Sequence, residues 1–179
     1  RMARRTIIAN WKMHGNQAQA LALARDVRRR LGNRFPGVEV ILAPPLTSLE
    51  TVRRTIKGSR LLLSGQNLHS QPEGAFTGEI NADMLRDAGC SHVIVGHSER
   101  RRLFGETNSE IRQKLAAALA SDLKPVLCIG ETLGERRAEQ TRRVLSRQLS
   151  GALKGTSKGV NESLTVAYEP VWAIGTGKT

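Results

Sequence analysis

The chain has 179 residues with 28 basic and 16 acidic side chains, a formal net charge of +12, 39% hydrophobic residues and 3% aromatic residues. This composition is that of a globular protein, and it excludes a collagen, a disordered chain and a disulfide-rich scaffold. The length predicts a single domain over residues 1–179, large enough to bury a substantial core.

Short apolar, β-branched runs recur along the chain and alternate with segments whose apolar residues have helical spacing. Alternating strands and helices form a parallel sheet with right-handed crossovers, and apolar runs without strict alternation indicate strands buried on both faces. The fold class is therefore α/β. We predict six strands, at residues 6–9, 38–43, 61–64, 92–95, 125–129 and 164–168, and five helices, at 18–25, 46–56, 82–88, 111–120 and 138–153.

The first predicted strand ends in Asn10-Trp11-Lys12. In parallel α/β folds the reactive groups lie at the carboxyl ends of strands. Asn10 and Lys12 are two positions apart, so an extended segment would point both side chains the same way. This pattern predicts an amide and an ammonium at the edge of the sheet, although a surface lysine after a buried tryptophan is the simpler alternative.

The fourth predicted strand delivers His97 through a glycine into a helix start that contains Ser98 and Glu99. The N–H groups at a helix start disfavour a positively charged imidazole, so we expect a neutral ring that can donate a proton to a developing oxyanion. His97 and Glu99 could instead be a pair of metal ligands. No second histidine stands at helical spacing, so we expect no metal site.

The sixth predicted strand ends in Glu169, and Pro170 follows it directly. A carboxylate at the end of an apolar strand is costly unless it is paired or functional, and Glu169 is the natural candidate for a general base. The segment after Glu169 is restricted at its start by Pro170 and gains backbone freedom at Gly175, a pattern typical of a hinged lid. Residues 177–179 imitate the end of a phosphate-binding P-loop, but that motif needs a glycine where Trp172 stands.

Asn10, Lys12, His97 and Glu169 would therefore converge on one edge of one sheet. A cation, a neutral imidazole and a carboxylate around a small pocket suit removal of a proton next to a carbonyl, with the resulting enediolate stabilised opposite the base.

These residues resemble the triosephosphate isomerase family. The resemblance covers essentially the whole chain, and its strings occur in the order and spacing of that family. They are Asn10-Trp11-Lys12-Met13, the run 93–101, the run 167–179, Gln66-Asn67 and the loop 74–79.

The resemblance implies a (β/α)8 TIM barrel that interconverts dihydroxyacetone phosphate and glyceraldehyde 3-phosphate without a cofactor, as in glycolysis and gluconeogenesis. It implies that Glu169 removes the carbon-bound proton and that His97 polarises the substrate and moves protons between its two oxygens. Lys12 would supply positive charge to the substrate, and Asn10 would help to fix its oxygens.

Further residues of the site follow from the same resemblance. Gly175 would give a backbone N–H to the substrate phosphate when the lid closes. Glu99 resembles a carboxylate beside the site, and we expect it and Ser98 to support the site, although Glu99 is equally well read as an acid at a helix start. Trp172 and Glu131 resemble residues that tune the lid, although a buried tryptophan and a helix-start acid explain them too.

A homodimer is also implied, since Thr77 resembles a residue that reaches across the subunit interface to the neighbour's asparagine and lysine. A threonine in a glycine-rich turn is its plain alternative. Cys128, on the fifth predicted strand, is most simply a core residue.

The chain departs from the family at its end, where strands seven and eight are missing, and we expect an incomplete barrel, truncated at the C-terminus, with little or no activity of its own. A catalytically inactive half-barrel, or a module that binds anionic polymers through its basic faces, is the alternative function. The arginines cluster at 28–30, 53–54, 100–102, 136–137 and 142–143, without interleaved aromatic residues. We therefore expect solvated helix faces and no nucleic-acid partner.

The location of the protein is predicted from its cysteines and its apolar runs. Cys90 and Cys128 have no CxxC spacing, which favours two buried thiols in a reducing compartment. No run reaches the ~18–20 apolar residues of a membrane helix, and no signal peptide is recognisable. We expect a cytoplasmic protein without a membrane partner.

Overall fold

The computed structural model describes residues 5–156 and 163–173. Its strands are β1 (Arg5–Asn10), β2 (Val38–Ala43), β3 (Leu62–Gly65), β4 (His92–Val95), β5 (Lys124–Ile129) and β6 (Thr165–Tyr168). Its α-helices are α1 (Gln17–Leu31), α2 (Leu49–Ile56), α3 (Ala82–Asp87), α4 (Ser98–Leu103), α5 (Asn108–Ala120), α6 (Leu133–Arg137) and α7 (Thr141–Leu153).

The six strands form one sheet in the order β1-β2-β3-β4-β5-β6, and every neighbouring pair is parallel. All six carboxyl ends therefore meet at the same edge. The register pairs Asn10 with Ala43 at the end of β1 and Ile129 with Tyr168 at the end of β6. This arrangement confirms the α/β fold of an incomplete (β/α)8 barrel, since a complete one has eight such strands and these are six of them.

The helices depart from the prediction in number. Each of the five connections between strands contains a helix, but the last two contain a second one, so the described residues hold seven α-helices instead of five. The short helix α4 begins directly after its N-cap His97, and α6 is separated from α7 by a segment that contains Glu139, whose φ is +56°. A left-handed residue cannot continue a right-handed helix, which is why the helix predicted at 138–153 begins only at Thr141 and α6 precedes it as a separate helix.

Two hydrophobic clusters cover the two faces of the sheet. The larger one packs strand residues such as Leu42, Val95 and Leu127 against buried helix residues such as Val52 and Leu115. The smaller one joins Ala43, Ile94 and Cys128, with Ile8 and Ala167 packed against it. Successive strand residues alternate between faces, so Asn10 and Glu169, each two positions after a residue of the smaller cluster, continue that inner face at the carboxyl edge.

Candidate active site

The four predicted catalytic residues lie at the carboxyl edge of the sheet, and a chain of close contacts connects three of them. Nζ of Lys12 lies 2.6 Å from Oε1 of Glu99, and Oε2 of Glu99 lies 3.5 Å from Nδ1 of His97. On its other side, Nε2 of His97 lies 3.4 Å from Oε1 of Glu169. Loops after β1, β4 and β6 thus bring an ammonium, an imidazole and a carboxylate together.

Asn10 joins this group through the backbone of Lys12. Lys12 has a φ of +53°, a conformation that non-glycine residues rarely adopt, and its N–H donates to Oδ1 of Asn10 over 2.9 Å. Nε2 of Gln66 donates to the Lys12 carbonyl over 2.9 Å and to the Ala43 carbonyl over 2.8 Å. Gln66 therefore fixes the lysine's backbone from the end of β3. In the sequence, Gln66 is visible only as part of the pair Gln66-Asn67, and no local pattern predicts this contact.

The ion pair between Lys12 and Glu99 is the shortest polar contact among these four groups. Hydrogen bonding from the Lys12 ammonium lowers the pKa of Glu99 below its usual value, against the opposing effect of partial burial. Both side chains are 36% exposed, so the pair adds little stability by itself. Its effect is positional, because it holds the ammonium at the edge of the sheet beside His97.

His97 caps helix α4 with its own ring. Nδ1 accepts the backbone N–H of Glu99 over 3.2 Å, which is closer than the Glu99 carboxylate oxygen. A ring that accepts at Nδ1 is neutral and carries its hydrogen on Nε2, the nitrogen that faces Glu169. Gly96 supplies the turn that brings the ring there, since its φ is +72°. The His97 side chain is nearly buried, with 9% of it exposed.

Glu169 is held by groups from the start of α4 and from β5. Its Oε2 accepts the backbone N–H of Ser98 over 3.3 Å, and its Oε1 accepts the Cys128 thiol over 3.3 Å. Burial raises the pKa of Cys128 well above its usual range, and the neighbouring carboxylate raises it further, so the thiol keeps its proton. Cys128 is a core residue, as expected, but it also contacts the site.

The backbone at Glu169 is packed directly against β5. Its N–H donates to the Ile129 carbonyl over 2.8 Å. A Cβ atom on Gly130 would lie 1.8 Å from the Glu169 carbonyl oxygen, so only glycine fits at that position. Both polar groups of Gly130 are bonded to the Gln148 side chain, over 2.8 and 2.9 Å. This close approach fixes the position of the Glu169 backbone relative to β5.

Arg101 corrects one expectation from the sequence. The runs 28–30, 53–54, 136–137 and 142–143 are exposed, as predicted for solvated helix faces. Arg101 instead turns inward and donates to the carbonyls of Gly96 and Cys128 and to Oδ1 of Asn108. Burial lowers its pKa, partly offset by nearby acids. It ties the His97 turn to β5, a role that tertiary contacts create and local sequence does not reveal.

Glu131 is the centre of a second cluster, beside the start of the predicted lid. Its carboxylate is fully buried and accepts from the Tyr168 hydroxyl over 3.0 Å and from Nε1 of Trp172 over 3.1 Å. Burial opposes ionisation, but hydrogen bonds from its own backbone, Trp172, Tyr168 and Arg136 outweigh it and hold the pKa of Glu131 below its usual value. The Arg136 guanidinium stacks on the Trp172 ring at 4.4 Å. The alternative of a simple helix-start acid does not describe these contacts.

The structure does not bring every predicted residue into the site. Thr77 lies in a loop in which residues 71–79 are all exposed, and none of the contacts described above includes it. Gly175 lies outside the described residues, and so do residues 177–179, which resemble the end of a P-loop. In the part of the chain that is described, no group of three His, Cys, Asp or Glu side chains is placed to hold a metal ion. None of its helices has the length and apolar character needed to cross a membrane.

Comparison with known proteins gives one consistent family. Residues 5–179 match the family model for triosephosphate isomerase. The chain is 47% identical to the triosephosphate isomerase of Chlorobium phaeobacteroides over 178 residues, which are 99% of this chain and 70% of that protein. The corresponding enzymes of Rhodopirellula baltica and Magnetococcus marinus are 48% and 49% identical over 179 residues, with the same two shares covered.

Proposed function

The chain belongs to the triosephosphate isomerase family, a family of isomerases, and from this premise we propose that it interconverts dihydroxyacetone phosphate and glyceraldehyde 3-phosphate through an enediolate. The single observation that supports this most directly is the 3.4 Å approach of Oε1 of Glu169 to Nε2 of His97, with the Lys12 ammonium connected to the same ring through Glu99. These are the base, the proton donor and the cation that the reaction needs.

In this proposal Glu169 takes the proton from the hydroxymethyl carbon of dihydroxyacetone phosphate. The electron pair left behind forms the new C–C double bond, and negative charge develops on the carbonyl oxygen. The Nε2–H of His97 stabilises that oxygen by donation and passes protons between the two adjacent oxygens. Glu169 then returns its proton to the neighbouring carbon, which gives the aldehyde. Only protons move, so the residues need no cofactor for this reaction.

Lys12 and Asn10 would hold the substrate. An ammonium at the sheet edge attracts a substrate that carries a phosphate and gains further negative charge in the transition state. Asn10 supports this through the Lys12 backbone, since its side chain accepts the Lys12 N–H over 2.9 Å. The Ser98 N–H and Glu99 have supporting roles, because they contact Glu169 and the pair Lys12–His97 respectively.

We also propose that the segment after Glu169 closes over the substrate as a lid, with the Gly175 N–H bound to the phosphate. Support comes from the hinge side, where Trp172 and Tyr168 are held by the buried Glu131. Closure would exclude water and protect the enediolate from loss of phosphate.

A homodimer that forms through the loop around Thr77 is part of the same proposal. The loop 71–79 is exposed throughout; its Phe76 contacts the His69 ring, with the ring centroids 4.0 Å apart, and 43% of Phe76 is exposed. Met13, next to Lys12, is 93% exposed. Exposed apolar side chains of this size are typical of protein interfaces. Sedimentation of the protein at two concentrations, with Thr77→Arg for comparison, tests the dimer.

The cellular setting follows from the reaction and the thiols. The interconversion is a step of glycolysis and gluconeogenesis, and we propose that the enzyme works in the cytoplasm. Cys90 and Cys128 are both free and buried, and burial raises the pKa of Cys90 to about 12. Unpaired, protonated thiols suit a reducing compartment.

Exchange of substrate protons with solvent tests the proposed function. The chain, completed with the seventh and eighth βα units of the family, is incubated with dihydroxyacetone phosphate in D₂O, and NMR follows both glyceraldehyde 3-phosphate and the deuterium bound to carbon. We expect both products, and we expect Glu169→Gln to abolish both while circular dichroism remains unchanged. If neither product forms with the completed wild-type chain, the isomerase proposal is wrong. If Glu169→Gln keeps full exchange, another group is the base.

A further inference from the structure

A groove on the outer surface of the barrel, between α1 and α2, gathers four arginine side chains. Arg25, Arg28 and Arg29 enter it from α1, and Arg54 enters it from α2. Its volume is about 770 Å³, within the range of pockets that bind small molecules. The groove lies on the helical exterior, whereas the candidate active site lies at the carboxyl edge of the sheet, so the reaction proposed above makes no use of it.

The acidic residues beside this arginine groove already form ion pairs with arginines on their own helices. Asp26 is bonded by Arg29 and Arg30, one on each carboxylate oxygen. Glu50 is bonded through both of its oxygens by Arg53, and this hydrogen bonding lowers the pKa of Glu50. The local acids therefore neutralise arginines along their own helices and leave a net positive charge in the groove.

Two of the guanidinium groups have no hydrogen-bond partner among the described residues. They belong to Arg25 and Arg54, one on each wall of the groove. Arg28 donates a single bond, from Nη1 to the Thr55 carbonyl over 2.7 Å, which anchors its guanidinium and leaves other N–H groups available. The charge of Arg54 is partly balanced by Glu50, whose pKa Arg53 and Arg54 both lower, and Arg29 is bonded to Asp26. The four guanidinium groups that line the groove still outnumber these two acids, and an anion bound among them would reduce their mutual repulsion.

We propose that the arginine groove binds a short inorganic oligophosphate, a chain of about three linked phosphate groups. The planar fork of a guanidinium matches the oxygens of a phosphate bidentately, and several forks at one groove match several linked phosphates. The residues that line the groove include no aromatic side chain, so nothing there could stack on a nucleobase. A ligand made of phosphates alone fits this lining better than a single-stranded nucleic acid does.

Titration calorimetry with sodium tripolyphosphate at constant ionic strength tests the proposal. We expect saturable binding, and we expect the double variant Arg25→Gln/Arg54→Gln to weaken it at least about tenfold, since bonds to charged groups are lost. Arg142→Gln/Arg143→Gln is the matched control, because it removes two exposed arginines of α7 and the same net charge. It should change the affinity less than about twofold, as expected for charges distant from the ligand.

Three other results would overturn the proposal. Equal weakening in both double variants would show an effect of net charge alone. Loss of binding in Lys12→Met would place the tripolyphosphate in the active site instead. Tighter binding of a 20-nucleotide single-stranded DNA than of tripolyphosphate, lost in the groove variant, would identify a nucleic-acid surface. The isomerisation rate and the melting temperature of the groove variant should match those of the wild type, which separates this test from the test of the proposed function.

Discussion

Oε1 of Glu169 lies 3.4 Å from Nε2 of His97, although the two residues follow different strands, β6 and β4. Strand β5 lies between these strands, and Cys128 on β5 contacts the Glu169 carboxylate over 3.3 Å. The distance between the Glu169 carboxylate and the His97 imidazole is thus set by strand spacing and by one intervening side chain. A rigid scaffold of this kind positions catalytic groups more closely than loops alone can.

Shortening the proposed base should slow the reaction strongly. Glu169→Asp withdraws the carboxylate by one methylene, and a misplacement of about 1 Å costs roughly 100-fold in rate. In a chain completed with strands seven and eight, we expect kcat to fall by about that factor or more and KM to change by less than about threefold, since the base acts mainly on the transition state. Steady-state kinetics measure both, with Glu50→Asp on α2 as control. A kcat within a factor of two of wild type contradicts the assignment.

Removing the ammonium should weaken substrate binding. Lys12→Met keeps the length of the side chain but deletes a charged donor, and a hydrogen bond to a charged group contributes about 1.5–3 kcal/mol. We expect KM to rise about tenfold or more. Lys57→Met removes an equal charge from the end of α2 and should leave KM unchanged. An unchanged KM in Lys12→Met would show that Lys12 does not contact the substrate.

A methyl group at position 130 should disturb both folding and the base. Gly130→Ala places its Cβ 1.8 Å from the Glu169 carbonyl oxygen, so the backbone of one residue must move. We expect about 1–3 kcal/mol lower stability in urea unfolding, as for other overpacked sites, together with a reduced kcat. Gly134→Ala is the control, because its nearest neighbour, Oγ1 of Thr132, is 4.0 Å away. If Gly130→Ala is as stable and active as Gly134→Ala, the close approach has no consequence.

Acid should destabilise the protein through His92, at the opposite end of the sheet. Burial lowers the pKa of His92, and the positive charge of Lys124 lowers it further. Glu39 opposes both effects, since its Oε2 lies 3.8 Å from Nε2 of His92. Arg60 lines the same cavity. A lowered folded-state pKa means that the unfolded state binds more protons. The stability from neutral His92 is therefore present above the ordinary histidine pKa of about 6.5 and is lost as pH falls.

Unfolding free energies at pH 7.5 and pH 5.5 measure this effect. One proton gives a slope of at most about 1.4 kcal/mol per pH unit. We expect His92→Asn to flatten the pH dependence, whereas replacement of the exposed His14 by asparagine should leave it as in the wild type. A slope that persists in His92→Asn would assign the acid sensitivity to another group.

The strands could be read from the sequence almost to the residue. β2 and β4 have the predicted bounds, and the other four differ by one residue at their ends. Buried parallel strands are apolar, β-branched runs, so their signal is local. The extra helices α4 and α6 have five or six residues, too short to show a helical period, and their starts depend on the caps His97 and Thr132.

The site was predictable as far as it lies at strand ends. Asn10, Lys12, His97 and Glu169 are polar residues directly after apolar runs, and the structure places them at one edge. Their partners carry no such signal. The bonds that Gln66 makes to backbone carbonyls exist only when β3 lies beside β1 and β2, and those of Arg101 exist only when β4 lies beside β5. The roles of all of these residues in catalysis remain predictions, and kinetics will test them.

The position of the Lys12 ammonium depends on the left-handed backbone conformation of that residue. A non-glycine residue in that conformation costs about 1–2 kcal/mol, and glycine or asparagine would adopt it more readily. Two bonds oppose the cost, one from the Lys12 N–H to Asn10 and one from Gln66 to the Lys12 carbonyl. Loss of either hydrogen bond would let the Lys12 backbone relax toward an ordinary extended conformation and move the ammonium away from its position. Asn10 and Gln66 thus fix the position of the Lys12 ammonium through its backbone, without contacting the ammonium itself.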